Sequence, residues 1–489
     1  MVEVQCATSP GIPSFAIVGL PDKAVSEAKE RVRAALGALN IALPAKRLTI
    51  NLSPADLPKV GSHFDLPIAV AVLAAVDAIP HDVAEGLVSL GELSLDGMLI
   101  SVAGGLPAAL AAATEGRSLL CPQGVGAEAA WVDDAQVCAP RSLAEALRHL
   151  TGQSPLPPAQ AGEVTASGTC PDLRDVRGQL RARRALEIAA AGRHHLLMVG
   201  PPGAGKSMLA ARLPGILPPL TPGEALETSM IHSLCGLLDD GGISRTRPFR
   251  EPHHTASMAA IVGGGRDAGP GEISLAHNGV LFLDEFPEFG RNVLETLRQP
   301  IETGQVTVAR ANAHLRYPCR FLLVAAANPC RCGHLADPAR ACSRAPACGE
   351  DYLGRISGPL MDRFDLRIEV PALDFRDLGE ASAPGEASAP VADRVAAARA
   401  RQAERYDGAE GVRVNADAGS AELDRFCRLD GEGRALIEKV AERHGLSARG
   451  YHRILRVART IADLDESDAV LRRHLAEAIG YRLALEHGF

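Results

Sequence analysis

Lysine is scarce in this sequence: six residues (23, 29, 46, 59, 206 and 439) stand against forty-five arginines. Aromatic residues make up only 3%, with a single tryptophan, Trp131, which leaves no basis for a surface that stacks many nucleic-acid bases. Long apolar runs are missing too. The longest, Leu66–Val76, would cover about half a bilayer, so no membrane span and no membrane partner is expected. No basic stretch leads into an apolar one at the Met-Val-Glu-Val-Gln start, so no secretory signal is read. Positive charge is in deficit: the net charge of −8 gives no global pull towards nucleic acid, and any such contact must be a local basic patch. The eleven cysteines, an odd number in a long chain, read as cytosolic thiols or metal ligands rather than disulfides. A soluble, cytoplasmic protein is expected.

With 489 residues, 46% apolar and 22% charged, the chain has ordinary globular composition and is too long for one core. Two seams divide it. Residues 151–168 (TGQSPLPPAQAGEVTASG) lack periodic apolar residues and read as a linker. Residues 376–390 contain the hexapeptide Gly-Glu-Ala-Ser-Ala-Pro twice, at 379–384 and 385–390, and read as a mobile low-complexity loop. The units are then 1–150, 169–375 and 391–489. In the first, strand-like runs (Ser14–Val18, Leu48–Leu52, Leu87–Leu90) alternate with helical ones (Ala24–Leu39, Leu66–Val76, Ala103–Ala113). The last, including Ala421–His444 and Arg449–Leu464, has helical spacing throughout.

The middle unit carries the chemistry. His195–Val199 reads as an apolar strand, followed by Gly200, Pro201, Pro202, Gly203, Ala204, Gly205, Lys206 and Ser207 and then a helical run. This is G-x-x-x-x-G-K-S in the strand–loop–helix context that a phosphate cradle requires. The glycines let successive N–H groups turn towards phosphate oxygens, and the following helix adds its positive end. Lys206 would neutralise the β- and γ-phosphates of ATP, and Ser207 would ligate Mg²⁺. That a chain so short of lysine keeps one here fits a compact point charge at a phosphate. Downstream, the strand Gly279–Leu283 ends in Asp284, expected to hold Mg²⁺ through water, and Glu285, expected to polarise the attacking water. A third strand, Phe321–Ala327, ends in Asn328, which either helps fix that water or caps a turn at an Asn-Pro step.

Gly200–Ser207, Asp284-Glu285 and Asn328 resemble the Walker A, Walker B and sensor-1 elements of AAA+ ATPases. Longer stretches narrow the resemblance: Val176–Leu180 with Arg184–Ala191, Pro248–His254, Gly263–Gly265, Pro270–His277 and Ile356–Asp365. Over nearly the whole chain these are similar to the magnesium-chelatase-like ComM/YifB family. The resemblance implies an α/β fold with three parts. An N-terminal domain would be like domain 2 of ribosomal protein S5, as in Lon protease. An AAA+ P-loop core with a parallel sheet and a C-terminal helical lid would follow. It implies a homo-hexameric, ATP-driven DNA motor, a branch-migration helicase of natural transformation in the best-studied members, binding single-stranded or branched DNA without sequence preference. It also implies roles for Arg363, as an arginine finger reaching a neighbouring subunit's γ-phosphate, and for Arg449, as sensor 2 on the lid. Relatives start earlier, so a strand upstream of Met1 is expected.

DNA contacts are expected in two basic stretches: Arg245, Arg247, Arg250, His253 and His254 within residues 216–276, and a hairpin over 304–320 with Arg310, Arg316 and Arg320. Cys330, Cys332, Cys342 and Cys348 lie within nineteen residues and read either as a tetrahedral Zn²⁺ site or as reduced structural thiols. Relatives carry a second C-x-C where Arg344 stands, and His334 is a substitute ligand. Residues 1–125 echo Lon at Gly91–Gly97 and Val102–Leu106, but Pro107 occupies the place of the protease's lysine, so proteolysis is not expected. A chelatase-type chaperone that remodels a protein partner is the alternative function.

Overall fold

The computed structural model describes residues 1–165, 170–238, 241–265, 268–310, 313–335, 340–372 and 385–484. Its N-terminal part is built on a three-stranded sheet in which Arg47–Ser53 lies between Glu3–Ser9, antiparallel to it, and Ser14–Val18, parallel to it. The Glu3–Ser9 strand went unread in the sequence because its apolar alternation is short: Val4 and Cys6 are half-buried against the core and the rest of the strand is exposed. The helices Lys23–Ala38 and Asp65–Ala75 pack against this sheet and enclose a core that includes Val32, Ile50, Leu66 and Leu73. The helix Gly105–Thr114 completes a smaller core with the short strands Leu87–Ser89, Ser118–Leu120 and Val137–Cys138.

Five parallel strands form the central sheet, in the spatial order Phe249–Arg250, Val280–Leu283, Leu322–Ala327, Leu196–Val199 and Leu366–Glu369. This is the expected α/β class. Three of these strands are buried along their whole length, so their side chains alternate between two cores instead of between core and solvent. Leu196, Met198, Val280, Phe282 and Val324 face one core. Leu197, Val199, Leu281, Leu283 and Leu323 face the other. The first of these cores runs on without a break into the C-terminal helices through Val395, Ile454, Ala458, Ile461 and Leu475.

The C-terminal region is helical, as expected, but its Ala421–His444 run is divided. Ser420–Phe426 and Gly431–His444 are separate helices, because Asp430 accepts a hydrogen bond from Gly433 N and so starts the second one. Helices Ser388–Arg405, Ala448–Leu464 and Arg472–Arg482 complete the unit. Both seams carry more structure than their composition predicts. Val164–Thr165, inside the expected linker, pairs in parallel with Ile243–Ser244. The second hexapeptide copy enters the helix Ser388–Arg405: Ser388 Oγ accepts from Leu173 N, and Ser388 N donates to the Asp172 carboxylate. These anchors come from residues more than two hundred positions away, which a local reading of composition does not see. The first copy, 379–384, lies outside the described residues. Among the described residues, no helix is long and apolar enough to cross a membrane.

Candidate nucleotide-binding site

Parallel pairing brings the C-terminal ends of Leu196–Val199, Val280–Leu283 and Leu322–Ala327 to one edge of the sheet, where the loops that follow them meet. The loop after Leu196–Val199 turns through Gly203 and Gly205, at φ +78° and +87°, a region L side chains avoid. Gly200 is required for a different reason: a Cβ there would lie 2.1 Å from the Val370 carbonyl oxygen. The helix Lys206–Ala210 follows directly.

Lys206 Nζ donates to Gly200 O at 2.7 Å, to Pro201 O at 3.0 Å and to Asn328 Oδ1 at 3.1 Å. Burial lowers its pKa, while the nearby Asp284 and Glu285 carboxylates act in the opposite direction. Ser207 Oγ donates to Asp284 Oδ2 at 2.6 Å, and Asp284 Oδ1 accepts from Glu285 N at 2.8 Å. Glu285 holds the left-handed conformation at φ +49°, a position Asn or Gly would more readily take. A cavity of about 310 Å³ is lined by Pro202–Met208, Asp284, Glu285 and Asn328. The structure thus brings together nine of the residues expected in the cradle: a cation, a hydroxyl–carboxylate pair, a second carboxylate and a polar amide around one opening. Ser207 and Asp284 present hard oxygen atoms side by side, a donor set that fits Mg²⁺.

His254, expected in a DNA-contact stretch, lies beside Glu285 at the edge of this site. Its Nδ1 lies 3.2 Å from Glu285 Oε2, and its ring packs edge-on against Phe289. The signal was present in the order of strands: Phe249–Arg250 neighbours Val280–Leu283 in parallel, so the residues after each emerge at the same edge. Glu251, in the same loop, has its pKa raised by burial and by Asp284.

Arg363 and Arg449 lie elsewhere. Neither lines the cradle; both meet Glu302, Arg363 at 2.6 Å and Arg449 at 3.9 Å. Arg363 is 6% exposed and also donates to Pro359 O and Arg298 O, whereas the Arg449 side chain is 73% exposed. Arg449 opens onto a second cavity, about 400 Å³, with Arg193, Arg320, Arg453 and Arg456 on its walls. The segment carrying Arg363 is tied to the lid. Arg453 donates to Arg363 O and to Asp365, and Arg482 donates to Phe364 O and pairs with Asp362.

In the first basic stretch Arg247 and Arg250 are engaged within the chain, while Arg245 is exposed. Arg247 donates to Pro218 O, Asn278 O and Glu224 Oε2, and its side chain is 10% exposed. Arg250 makes a bidentate pair with Glu272 at 2.6 and 2.8 Å, and Arg245 donates to Leu220 O. These guanidinium forks satisfy carbonyls and carboxylates around the helix Pro222–Leu234. The second stretch is a hairpin, Gln305–Arg310 against Ala313–Pro318, with Arg316 opposite Thr307 and exposed. Residues 311–312 at its tip and the Arg310 side chain lie outside the described residues, and Arg320 faces the second cavity.

The Cys330, Cys332 and Cys348 sulfurs lie within 4.8 Å of one another, and Cys342 is in hydrogen-bond contact with Cys332 and Cys348. His334 does not join them as a ring ligand; its backbone N–H donates to the Cys332 sulfur and lowers that thiol's pKa. Arg344, where a cysteine was looked for, pairs with Asp351. Four residues later, Cys348, whose N bonds to Arg344 O, contributes its thiol to the cluster.

Residues 2–124 match the family described as subunit ChlI of Mg-chelatase, 172–378 magnesium chelatase, subunit ChlI, and 385–482 its C-terminal part. The chain is 47% identical over 487 residues to a competence protein ComM of Haemophilus influenzae, covering 99% of this chain and 94% of that one. It is 44% identical over 481 residues to the Escherichia coli protein YifB, covering 98% and 94%. A magnesium-chelatase 38 kDa subunit of Rhodobacter capsulatus is 26% identical over 339 residues, covering 63% of this chain and 85% of that subunit. Membership of such a family implies an ATPase that uses ATP and Mg²⁺, in keeping with the cradle and the Ser207–Asp284 pair. A chain matched by three magnesium-chelatase models and by these full-length relatives belongs to the magnesium-chelatase-like ComM/YifB family of AAA+ ATPases.

Proposed function

We propose that this protein is a hexameric ATP-driven DNA motor of the helicase or branch-migration type, cytoplasmic and acting in transformation or recombination. The observation that carries the reading is the convergence of Arg363 and Arg449 on Glu302, away from the chain's own cradle. Two arginines held beside an exposed acid, and remote from the phosphates they would serve, make sense when a neighbouring subunit supplies the nucleotide. Glu302 would then hold both until the neighbour's phosphates displace it.

Within one subunit, Lys206 binds the β- and γ-phosphates, and Asn328 orients Lys206 through their shared hydrogen bond. Ser207 and Asp284 would hold Mg²⁺, which when bound neutralises charge on the phosphate oxygens. Glu285 polarises the attacking water and His254 aims that carboxylate. DNA would run against the Gln305–Pro318 hairpin and its exposed Arg316, with the backbone phosphates as the ligand. The four-cysteine cluster would hold Zn²⁺ as a structural ion. The N-terminal part, read as S5-like over 1–150, is proteolytically inert: Pro107, in the helix Gly105–Thr114, stands where the protease's lysine would be.

The test is ATPase rate with and without single-stranded or branched DNA. Stimulation by DNA is expected, and indifference to it would favour a chaperone that remodels a protein partner. Mixing Arg363→Ala with Glu285→Gln subunits tests the ring. Each is inactive alone, and mixed interfaces pair an intact Glu285 with an intact finger. No recovered activity at any ratio, in rings that exchange subunits, would refute a finger acting between subunits.

A further inference from the structure

The loop that begins at Asn328 is not free to follow the nucleotide on its own. Five residues on, Gly333 takes φ +82° and packs so closely on the phosphate loop that a Cβ would lie 2.5 Å from Pro202 Cγ and Cδ. Between these two contacts stand Cys330 and Cys332, whose sulfurs are 3.1 Å apart. Gly333 N donates to Cys330 O at 2.9 Å, and the N–H groups of His334 and Cys342 donate to the Cys332 sulfur. N–H donors aimed at a sulfur fix its orientation, as the groups around a metal ligand do.

The other two thiols come from a different element. Cys348 lies in the helix Ala347–Leu353, and Gly349 beside it approaches Pro329 O, where a Cβ would fall at 3.2 Å. The same helix presents Tyr352 to Glu288, and Arg355 just beyond it donates to Pro287 O, both in the turn that follows Asp284-Glu285. The cluster therefore joins three things: the phosphate loop, the Asn328 loop and the turn after Glu285. None of its cysteines is in a disulfide.

We propose that Cys330, Cys332, Cys342 and Cys348 bind one Zn²⁺, and that this ion staples the Asn328 loop to the phosphate loop so that hydrolysis depends on it. The chemistry fits: four soft thiolates suit a tetrahedral Zn²⁺, with sulfurs converging from two separate segments. Without the ion, like-charged or protonated thiols would no longer pin Cys330–Cys332 to the Ala347–Leu353 helix. Asn328 would then lose its fixed place opposite Lys206. The second half of the proposal rests on the ATPase reading given above, whereas the first half does not.

The experiment takes the full-length chain, purified under reducing conditions from zinc-supplemented cells, and measures metal by elemental analysis. One zinc per protomer is expected, falling below a tenth in the Cys332→Ser/Cys348→Ser variant. Cobalt substitution should give the charge-transfer absorption of a four-sulfur site. Wild-type protein free of zinc, carrying iron instead, or unchanged zinc in the double variant would overturn the assignment. For the coupling, zinc is stripped by a chelator and restored. A loss of ATP turnover of about tenfold or more is expected, with fluorescent ATP-analogue binding within threefold of the starting value and turnover recovered on re-addition. Gly333→Ala should keep its zinc yet lose turnover, because its methyl group displaces Pro202. Full turnover by the stripped protein would overturn the staple. Absence of turnover in the zinc-loaded wild type would count against the ATPase reading and leave the zinc result standing.

Discussion

Asp365→Asn should destabilise the protein by about 3–5 kcal/mol, the usual effect of removing one partner from a buried ion pair. Asp365 is 4% exposed, its Oδ1 accepts from Arg453 at 2.5 Å and its Oδ2 meets His194 Nδ1 at 3.1 Å. Asparagine keeps the shape and one hydrogen bond but leaves the Arg453 charge without its counter-ion, in a side chain only 15% exposed. Burial by itself would raise the Asp365 pKa, yet Arg453 and His194 hold it well below the usual carboxylate range. A depressed folded-state pKa stabilises above the unfolded value of about 4, and that contribution is lost as pH falls below it. Urea unfolding followed at pH 7 should therefore show the full difference between wild type and variant, and the difference should narrow below about pH 4. A cycle with Arg453→Met should be non-additive by roughly 1–3 kcal/mol. A loss under about 1 kcal/mol at pH 7, a pH-independent difference, or simple additivity would refute this account.

Lys206→Ala should abolish nucleotide binding, measured by fluorescent-analogue titration, while Glu285→Gln should bind ATP and turn it over very slowly. His254→Ala should reduce turnover by about tenfold or more with nucleotide affinity unchanged, because Glu285 loses the group that aims it. Replacing Arg310 and Arg316 together should flatten the salt dependence of DNA binding by about two units, read by fluorescence anisotropy. Arg247→Ala should leave that slope unchanged and instead destabilise the fold by about 1–3 kcal/mol, since the half-buried Glu224 loses its partner.

The cradle was legible in the sequence because its parts are contiguous: Gly200–Ser207 and Asp284-Glu285 are short runs, each attached to a fully buried strand. The order of strands was less so, and with it went His254, whose role depends on which strand lies beside Val280–Leu283. Arginines misled for a related reason. Arg247 and Arg250 look like a basic patch until Glu224 and Glu272, twenty-two or more residues away, are brought beside them by folding. The cysteines show the opposite case, since Cys348 departs from the spacing expected of relatives yet its sulfur lies in the cluster.

The core shared by the sheet and the C-terminal helices has a mechanical consequence. Val280, Phe282 and Leu196 of the sheet and Ile454, Ala458 and Leu475 of the lid belong to one continuous apolar cluster. Opening a lid built this way would expose that surface to water, at about 25 cal/mol for each Å². Sheet and lid must then travel as one rigid lever, with the Arg363 segment carried on it through Arg453 and Arg482. The contacts among Glu302, Arg363 and Arg449 are ionic instead, so parting them exposes no comparable apolar surface.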